Sequence, residues 1–183
     1  GLDPKADVDW SSGLSYPDIV KAIGAGQADF ANVPVPLGFL VERNKFGKLV
    51  FSGWDIEPNC QLACWAMSQK FLEANKSAAL RFAMVHTHAG RLYNKAAAAK
   101  DPDVIKIISE ATKVPPNLIE MAAPRWTWFT DDGMPNIPSC MAQGKFWTDT
   151  MKIATGSVTE AQLFDLSAAK EAVARLEKAN PFG

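Results

Sequence analysis

The feature that most restricts the fold of this chain is a short apolar segment that ends on two closely spaced prolines. Residues 28–33 read ADFANV, and Pro34 and Pro36 follow them. Proline has no N–H to donate and fixes its own φ, so a β-strand cannot continue through this pair. The sequence therefore predicts a buried strand over residues 28–33, a turn after it, and a helix that opens at Pro36.

The first third of the chain alternates predicted helices with predicted strands. A helix is expected within residues 15–26, with Pro17 in its first turn and two glycines at its end. Residues 47–53 and 60–67 read as two further strands. This alternation is typical of parallel α/β sheets.

The rest of the chain is dominated by predicted helices. We expect helices over residues 68–75, 76–99 and 139–155, a helix that begins at Pro102 with its apolar face within residues 104–108, and a last amphipathic helix over 168–178. Asp101, Ser167 and the pair Thr159 and Gln162 are the expected capping residues. The strands are too few to cover so many helices, which indicates that partner strands lie elsewhere.

Composition and charge exclude several classes of protein. Of the 183 residues, 48% are hydrophobic and 21% charged, and the formal net charge is −1. This balance is that of a globular protein, and it gives no electrostatic reason to expect binding to nucleic acid. No apolar run reaches the ~20 residues needed to cross a bilayer, and the first residues do not resemble a signal peptide.

Cysteine and histidine do not form a recognisable metal or catalytic motif. The three cysteines, Cys60, Cys64 and Cys140, are an odd number, so at least one free thiol is expected. We expect Cys60 and Cys64 to be buried as small hydrophobes. His86 and His88 are two residues apart on a predicted helix and do not share a face. We therefore predict no metal, no cofactor and no catalytic residue.

Two clusters of aromatic and charged residues are candidates for a binding site. Each lies in a segment between predicted elements, where it forms either the wall of a ligand cleft or a small satellite core. The clusters are Trp54, Asp55 and Glu57, and Arg125, Trp126, Trp128, Phe129, Asp131 and Asp132. A tryptophan beside an arginine suits a flat or anionic small molecule.

Residues 22–51 resemble a segment of the NMT1/THI5-like periplasmic solute-binding proteins, which include the nitrate, taurine and alkanesulfonate receptors of ABC importers. Ala22, Gly26, Asp29 and Pro36 match the pattern of that segment, whereas Phe30 replaces its usual small residue. The resemblance continues at lower specificity through most of the chain.

The resemblance implies a type II periplasmic-binding-protein fold, an α/β fold of two lobes joined by a hinge. Residues 1–56 would be the later part of lobe two, and residues 57–183 the crossover and the helical return to lobe one. The N-terminal part of lobe one would be missing, so a dimer or the missing half is an expected partner. The protein would be periplasmic, or an extracytoplasmic lipoprotein.

The function that the resemblance implies is non-enzymatic. The chain would capture a small anionic or heterocyclic solute and deliver it to an ABC permease in the membrane. The expected ligand-binding residues are Asn32, Pro34 and Pro36 in the cleft, Trp54, Asp55 and Glu57 beside the hinge, and Arg125, Trp126 and Trp128 in the wall. Two alternatives are a THI5-like enzyme that makes a pyrimidine precursor and the effector-binding domain of a transcriptional regulator.

Overall fold

The computed structural model describes residues 1, 3, 5–179 and 181–182, and α-helices dominate this part of the chain. The helices are α1 (Tyr16–Gly24), α2 (Val35–Arg43), α3 (Gly53–Ile56), α4 (Gln69–Ala74), α5 (Lys76–Ala99), α6 (Pro102–Thr112), α7 (Pro116–Ala122), a 3₁₀ helix (Ala123–Arg125), α8 (Ile137–Asp149), α9 (Glu160–Leu163) and α10 (Ser167–Lys178). None of these described helices combines the length and the apolar character that crossing a membrane requires.

Side-chain caps fix the starts of two early helices. The Ser15 hydroxyl accepts a hydrogen bond from the Asp18 N–H at 3.4 Å, and α1 begins there. The Asp101 carboxylate accepts from the N–H groups of Asp103 and Val104 at 2.9 and 3.1 Å, and α6 follows. These acceptors satisfy N–H groups that have no partner inside the helix. The predicted starts of α1 and α6 are confirmed.

The later helices agree with the prediction except at the ends of α8 and the start of α10. The helix predicted over residues 139–155 is Ile137–Asp149 in the structure. Thr159 and Gln162 form the expected capping box of α9, in which the Thr159 N–H donates to Gln162 Oε1 at 2.9 Å. The last amphipathic helix is present as α10, but it begins at Ser167, and Leu166 occupies the N-cap position. The prediction of Ser167 as the N-cap is therefore wrong. Its own N–H donates to Asp165 Oδ1 at 2.9 Å, so Asp165 supplies the acceptor.

The first of two compact units consists of Gly1–Val50 and Lys100–Trp126. In this unit α2 packs against α1 and α7, and α7 packs against α6. The buried hydrophobic residues are Val20, Ile105, Leu118, Ile119, Ala122 and Ala123. A Cβ on Gly38 of α2 would lie 2.6 Å from Leu49 Cδ2, so this glycine lets the chain after α2 fold back against it.

The second compact unit consists of Phe51–Ala99 and Thr127–Gly183. Its longest element is α5, against which both α10 and α4 pack. The buried hydrophobic residues are mostly small: Ala79, Leu80, Ala96, Ala172 and Leu176. Small side chains permit a short distance between helix axes. The paired helices α5 and α10 therefore form the core of this unit.

A buried asparagine ties a loop to α5. Asn94 is only 3% exposed. Its Nδ2 donates to the Phe129 carbonyl at 2.6 Å and to Asp131 Oδ1 at 3.2 Å, and its Oδ1 accepts from the Phe129 N–H at 3.1 Å. One side chain thus satisfies both main-chain polar groups of Phe129, which fixes the position of that residue on the helix.

The prediction of an α/β type II periplasmic-binding fold is wrong. No residue in the described part of the chain belongs to a β-strand. Residues 28–33 and 60–67 lie in neither helix nor strand, and the strand predicted over 47–53 runs into α3. A strand is stabilised by ladder hydrogen bonds to a neighbouring strand, and no neighbour is present for any of these segments in the described chain. The predicted division at residue 56 stays a prediction.

Replacing Asn94 by alanine tests whether this clamp stabilises the second unit. Asn94→Ala leaves the Phe129 N–H and carbonyl without their partners, and an unsatisfied buried group costs about 1–3 kcal/mol. We expect the free energy of unfolding to fall by about 2 kcal/mol, measured by urea denaturation. The control Asn117→Ala removes the same side chain from an exposed position in α7 and should change stability by less than about 0.5 kcal/mol. Equal losses in both variants would contradict the clamp.

Candidate binding site

One face of α5 carries ring side chains at helical spacing. Phe82, His86, Gly90 and Tyr93 are separated by four, four and three residues, so they lie on the same side of the helix. The Phe82 and His86 rings are stacked, with centroids 6.1 Å apart and planes 7° from parallel. This stripe of rings is the base of the candidate site.

Gly90 has no side chain, and Phe129 packs against α5 at this position. A Cβ on Gly90 would lie 3.0 Å from Phe129 Cβ, so a larger residue would push the ring away. The Phe129 ring meets the His86 ring at 5.6 Å and the Tyr93 ring at 5.1 Å, edge-on in both cases. Gly90 and the Asn94 clamp therefore place Phe129 between two rings of the stripe.

Trp65 reaches the stripe from the irregular segment 60–67. Its indole N–H donates to His86 Nδ1 at 3.2 Å. Its ring lies edge-on to Phe82 at 5.2 Å and to His86 at 5.8 Å. Trp65 is 68% exposed and Phe82 38%. We refer to Trp65, Phe82, His86, Tyr93 and Phe129 as the aromatic cluster.

The polar groups of the aromatic cluster are uncharged at neutral pH. Burial lowers the pKa of His86 below its ordinary value and raises the pKa of Tyr93 to about 12. Because His86 Nδ1 accepts the indole N–H, the neutral imidazole carries its proton on Nε2. The cluster thus combines apolar ring surfaces with an N–H donor, a combination that suits a planar molecule with hydrogen-bond acceptors.

Asn32, Pro34 and Pro36 lie together at the start of α2 in the first unit. Asn32 and Pro34 are exposed, and Pro34 is the N-cap residue of the helix. Pro36 lies in the first turn and is half-buried. The helix begins at Val35, one residue before the predicted start at Pro36, whereas the strand predicted before these prolines is absent. Contact of these residues with a ligand stays a prediction.

Two of the residues predicted to lie beside a hinge accept hydrogen bonds within the second unit. Asp55 Oδ2 accepts from the Ser52 N–H at 2.6 Å and from the Ser52 hydroxyl at 2.7 Å, which caps α3. Glu57 Oε1 accepts from the Ser139 hydroxyl at 3.2 Å. Trp54 is 59% exposed. These contacts explain why Asp55 and Glu57 are ordered, and a ligand-binding role for them stays a prediction.

The predicted wall residues belong to different units. Arg125 is exposed at the end of the 3₁₀ helix in the first unit. Trp126, in the same unit, donates its indole N–H to the Ile119 carbonyl at 3.1 Å. Trp128 is in the second unit and 62% exposed. The contact made by Trp126 favours the satellite-core alternative for this residue, since its polar atom is used within the fold.

The cysteines and histidines differ from the prediction in one respect. Cys60 and Cys64 are exposed rather than buried, because the segment that carries them is not covered by a sheet, and Cys140 is half-buried. His88 lies against the Phe182 ring, with centroids 4.9 Å apart, and His86 belongs to the aromatic cluster. Among the described residues, no group of three or more His, Cys, Asp or Glu side chains is arranged to hold a metal ion.

The first unit has two surface pockets whose linings can be compared with the predicted ligand-binding residues and with the aromatic cluster. One is lined by residues within 42–48, and the other by Lys100 and residues of α6 and α7. Neither lining contains a predicted ligand-binding residue or a member of the aromatic cluster. A concave surface without such residues is not evidence of a specific binding site, so neither pocket is a candidate.

Sequence reasoning missed the aromatic cluster. The signal available was the spacing of Phe82, His86, Gly90 and Tyr93, which places them on one face of a helix that the sequence predicts correctly. A metal-site interpretation compares His86 with His88, whereas in the structure His86 contacts Trp65, Phe82 and Phe129. Phe129 belongs to the candidate cluster predicted at residues 125–132, but no local pattern indicates that it meets α5, and none indicates Trp65.

No protein-family model, curated protein or solved structure matches this chain. The resemblance to solute-binding proteins therefore depends on the residues of the sequence alone, and membership of that family stays a prediction.

The half-buried, neutral His86 side chain predicts a pH dependence of stability. Because burial lowers the pKa of His86 below the ordinary value of 6.5, the unfolded chain takes up this proton before the folded chain does as the pH falls. The contribution of His86 to the free energy of unfolding is therefore complete above about pH 6.5 and is lost as the pH falls toward the folded pKa. Urea denaturation across this range should show the loss in wild-type protein and a smaller loss in His86→Gln.

An NMR titration measures the same property directly. The His86 C2–H resonance should have its midpoint below pH 6.5, and the variant His88→Gln, which leaves a single histidine, assigns the signal. A midpoint for His86 at or above 6.5 would contradict the buried neutral imidazole.

Proposed function

We propose that this chain is a solute-binding protein that serves an ABC importer, and that it holds a planar heterocyclic solute on the aromatic cluster. The observation that carries this proposal is the hydrogen bond from Trp65 to His86 among the rings of the cluster. That bond orients two rings toward each other and leaves the second imidazole nitrogen as a donor. A solute with an aromatic ring and an acceptor atom matches both features.

The exposure of the rings supports a binding role for them. Trp65 and Phe82 are 68% and 38% exposed, although each already packs against other rings of the cluster. Apolar ring area that remains in contact with water gains free energy when a flat solute covers it. The rings are also held in place by their contacts with each other, which lowers the entropy that binding would otherwise cost.

The chemistry of the cluster favours a heterocycle over a small inorganic or sulfonate anion. Nitrate and sulfonate are held in proteins by cationic side chains or by several N–H donors together. The five residues of the cluster include no lysine or arginine, and the imidazole of His86 is neutral because its burial lowers its pKa. A pyrimidine, a purine or an aromatic carboxylate instead offers a ring to stack and an acceptor for the imidazole N–H.

The role in transport rests on the sequence resemblance of residues 22–51. In this proposal the protein lies outside the cytoplasmic membrane, binds the solute reversibly and passes it unchanged to a membrane permease. A cleft between two sheet-containing lobes is not part of the proposal, because the described chain has no sheet. Binding depends on the rings of the second unit.

Isothermal titration calorimetry of the full chain tests the proposal. The ligands are a pyrimidine, a purine, an aromatic carboxylate and an alkanesulfonate of similar size. We expect at least one of the three planar compounds to bind and the alkanesulfonate not to bind. Trp65→Ala should raise the Kd of the planar ligand about 10-fold or more, since stacking on an aromatic side chain contributes roughly 1–3 kcal/mol.

A matched control is Trp147→Ala, which removes an exposed tryptophan from α8 and should leave the Kd unchanged. The variants Asn32→Ala and Arg125→Ala test the residues predicted from the sequence in the same titration. Exclusive binding of the alkanesulfonate, unaffected by Trp65→Ala, would show that the aromatic cluster is not the site. Conversion of a bound ligand, detected by mass spectrometry, would instead support the enzyme alternative.

A further inference from the structure

The long helix α5 carries an apolar seam with the residue spacing of a coiled coil. Alternating steps of four and three residues along this helix meet only apolar side chains, namely Ala78, Phe82, Val85, Ala89, Leu92, Ala96 and Ala99. This spacing keeps the apolar residues in one line along the helix. It is typical of a helix that packs lengthwise against another helix.

The middle of this seam is left uncovered by the other helices of the second unit. Both α10 and α4 pack against α5, and Ala96 near one end of the seam is buried. Val85 and Leu92 are nevertheless 52% and 51% exposed, and Phe82 and Ala89 are exposed as well. We refer to Phe82, Val85, Ala89 and Leu92 as the open seam. An uncovered apolar line of this kind is a surface on which a partner can be sought.

The outline of the open seam favours a helix as its partner. Ala89 has only a methyl group and lies between the larger Val85 and Leu92, so a side chain of a facing helix can enter there as a knob into a hole. A helix that lies on a membrane instead needs a broad face of bulky apolar residues. The face of α5 next to the open seam is already contacted by Trp65 and Phe129. A narrow seam therefore remains.

The charges beside the open seam are positive. Arg81 and Lys95 each come one residue before a seam position, which places them along the same edge, and both are exposed. Arg81 Nη1 donates to the uncharged Ser77 hydroxyl at 3.3 Å. Neither cation belongs to an ion pair within the described part of the chain. A partner with carboxylates along its edge would therefore meet two cations that have no acidic partner.

The wider surroundings of the open seam have the same sign of charge. The helix α5 contains four cationic residues and no acidic one, and α10 contains three cationic and two acidic residues. The two packed helices thus have a net charge of +5, in a chain whose net charge is −1. This asymmetry favours an acidic partner.

A second copy of the chain does not complement the open seam. If two α5 helices packed along their open seams in opposite directions, Arg81 of one copy would approach Lys95 of the other. Neither orientation of the two helices brings a carboxylate of α5 to these cations, because α5 has no acidic residue. Like charges along the edge of a helix pair oppose its formation.

We propose that the open seam binds an amphipathic helix of another protein, in which acidic residues flank the apolar face. Such a helix would cover Val85 and Leu92 and bring carboxylates to Arg81 and Lys95. This is the recognition of a helix by an apolar groove, with charge complementarity selecting the partner. The proposal does not rest on the solute site, since Phe82 is the one residue that the open seam shares with the aromatic cluster.

Fluorescence anisotropy of the full chain with two labelled peptides tests the proposal. Each peptide has four heptads with isoleucine at position a and leucine at position d. One peptide carries glutamate at positions e and g, and the other carries lysine there, so neither pairs with itself at neutral pH. We expect the glutamate peptide to bind about 10-fold more tightly or better. No binding of the glutamate peptide, or equal binding of both peptides, would overturn the proposal.

A double serine variant locates the bound peptide. Val85→Ser combined with Leu92→Ser should raise the Kd of the glutamate peptide about 10-fold or more, since two apolar side chains are no longer covered by the peptide. The matched control combines Val158→Ser with Leu163→Ser. It removes a valine and a leucine that are 54% and 51% exposed in the same unit, and it should leave the Kd unchanged. Equal effects of the two double variants would contradict binding at the open seam.

A charge reversal gives a readout that poor folding cannot imitate. Arg81→Glu combined with Lys95→Glu should reverse the preference, so that the lysine peptide binds more tightly than the glutamate peptide. An unchanged preference would overturn the role of these cations. Sedimentation velocity and flotation with phosphatidylglycerol vesicles examine the other occupants. Dimerisation or vesicle binding that the Val85→Ser and Leu92→Ser pair abolishes would assign the open seam to a second copy or to a membrane, and would also overturn the proposal.

Discussion

The hydrogen bonds of the buried Asn94 side chain are the contact on which the organisation of the second unit depends. They satisfy the N–H and the carbonyl of Phe129 at 3.1 and 2.6 Å, so an otherwise irregular loop has a defined position on α5. Gly90, one turn earlier, provides the space for the Phe129 ring. Phe82, His86 and Tyr93 lie on one face of α5, and Phe129 contacts the His86 and Tyr93 rings from the loop.

The irregular segment 57–67 is held at both of its ends by side-chain hydrogen bonds. Its first half is bonded to α8 through Gln61. In its second half the Trp65 indole bonds to His86 on α5. Residues 60–67 belong to neither helix nor strand, so these side-chain contacts set the position of the ring that we propose binds solute.

The helices and the missing strands show what local sequence information can and cannot establish. The cap at Asp101 and the capping box of Thr159 and Gln162 are predictable, because each helix satisfies its own hydrogen bonds and the cap completes them within a few residues. The predicted strands differ, because a strand needs a partner that local sequence does not specify. Val50 and Leu62, expected in strands, are 85% and 78% exposed. The alternation of predicted helices with short apolar segments is therefore insufficient evidence for a sheet.

The sequence by itself determined most of the helices, the caps of α6 and α9, the start of α2 beside Pro36, and the face of α5 that carries Phe82, His86 and Tyr93. These features depend on contacts between residues a few positions apart. Only the tertiary structure decided that Trp65 and Phe129 complete the cluster, and that Cys60 and Cys64 are exposed. Such contacts join residues far apart in the chain, and their formation depends on the packing of whole helices, which no local pattern encodes.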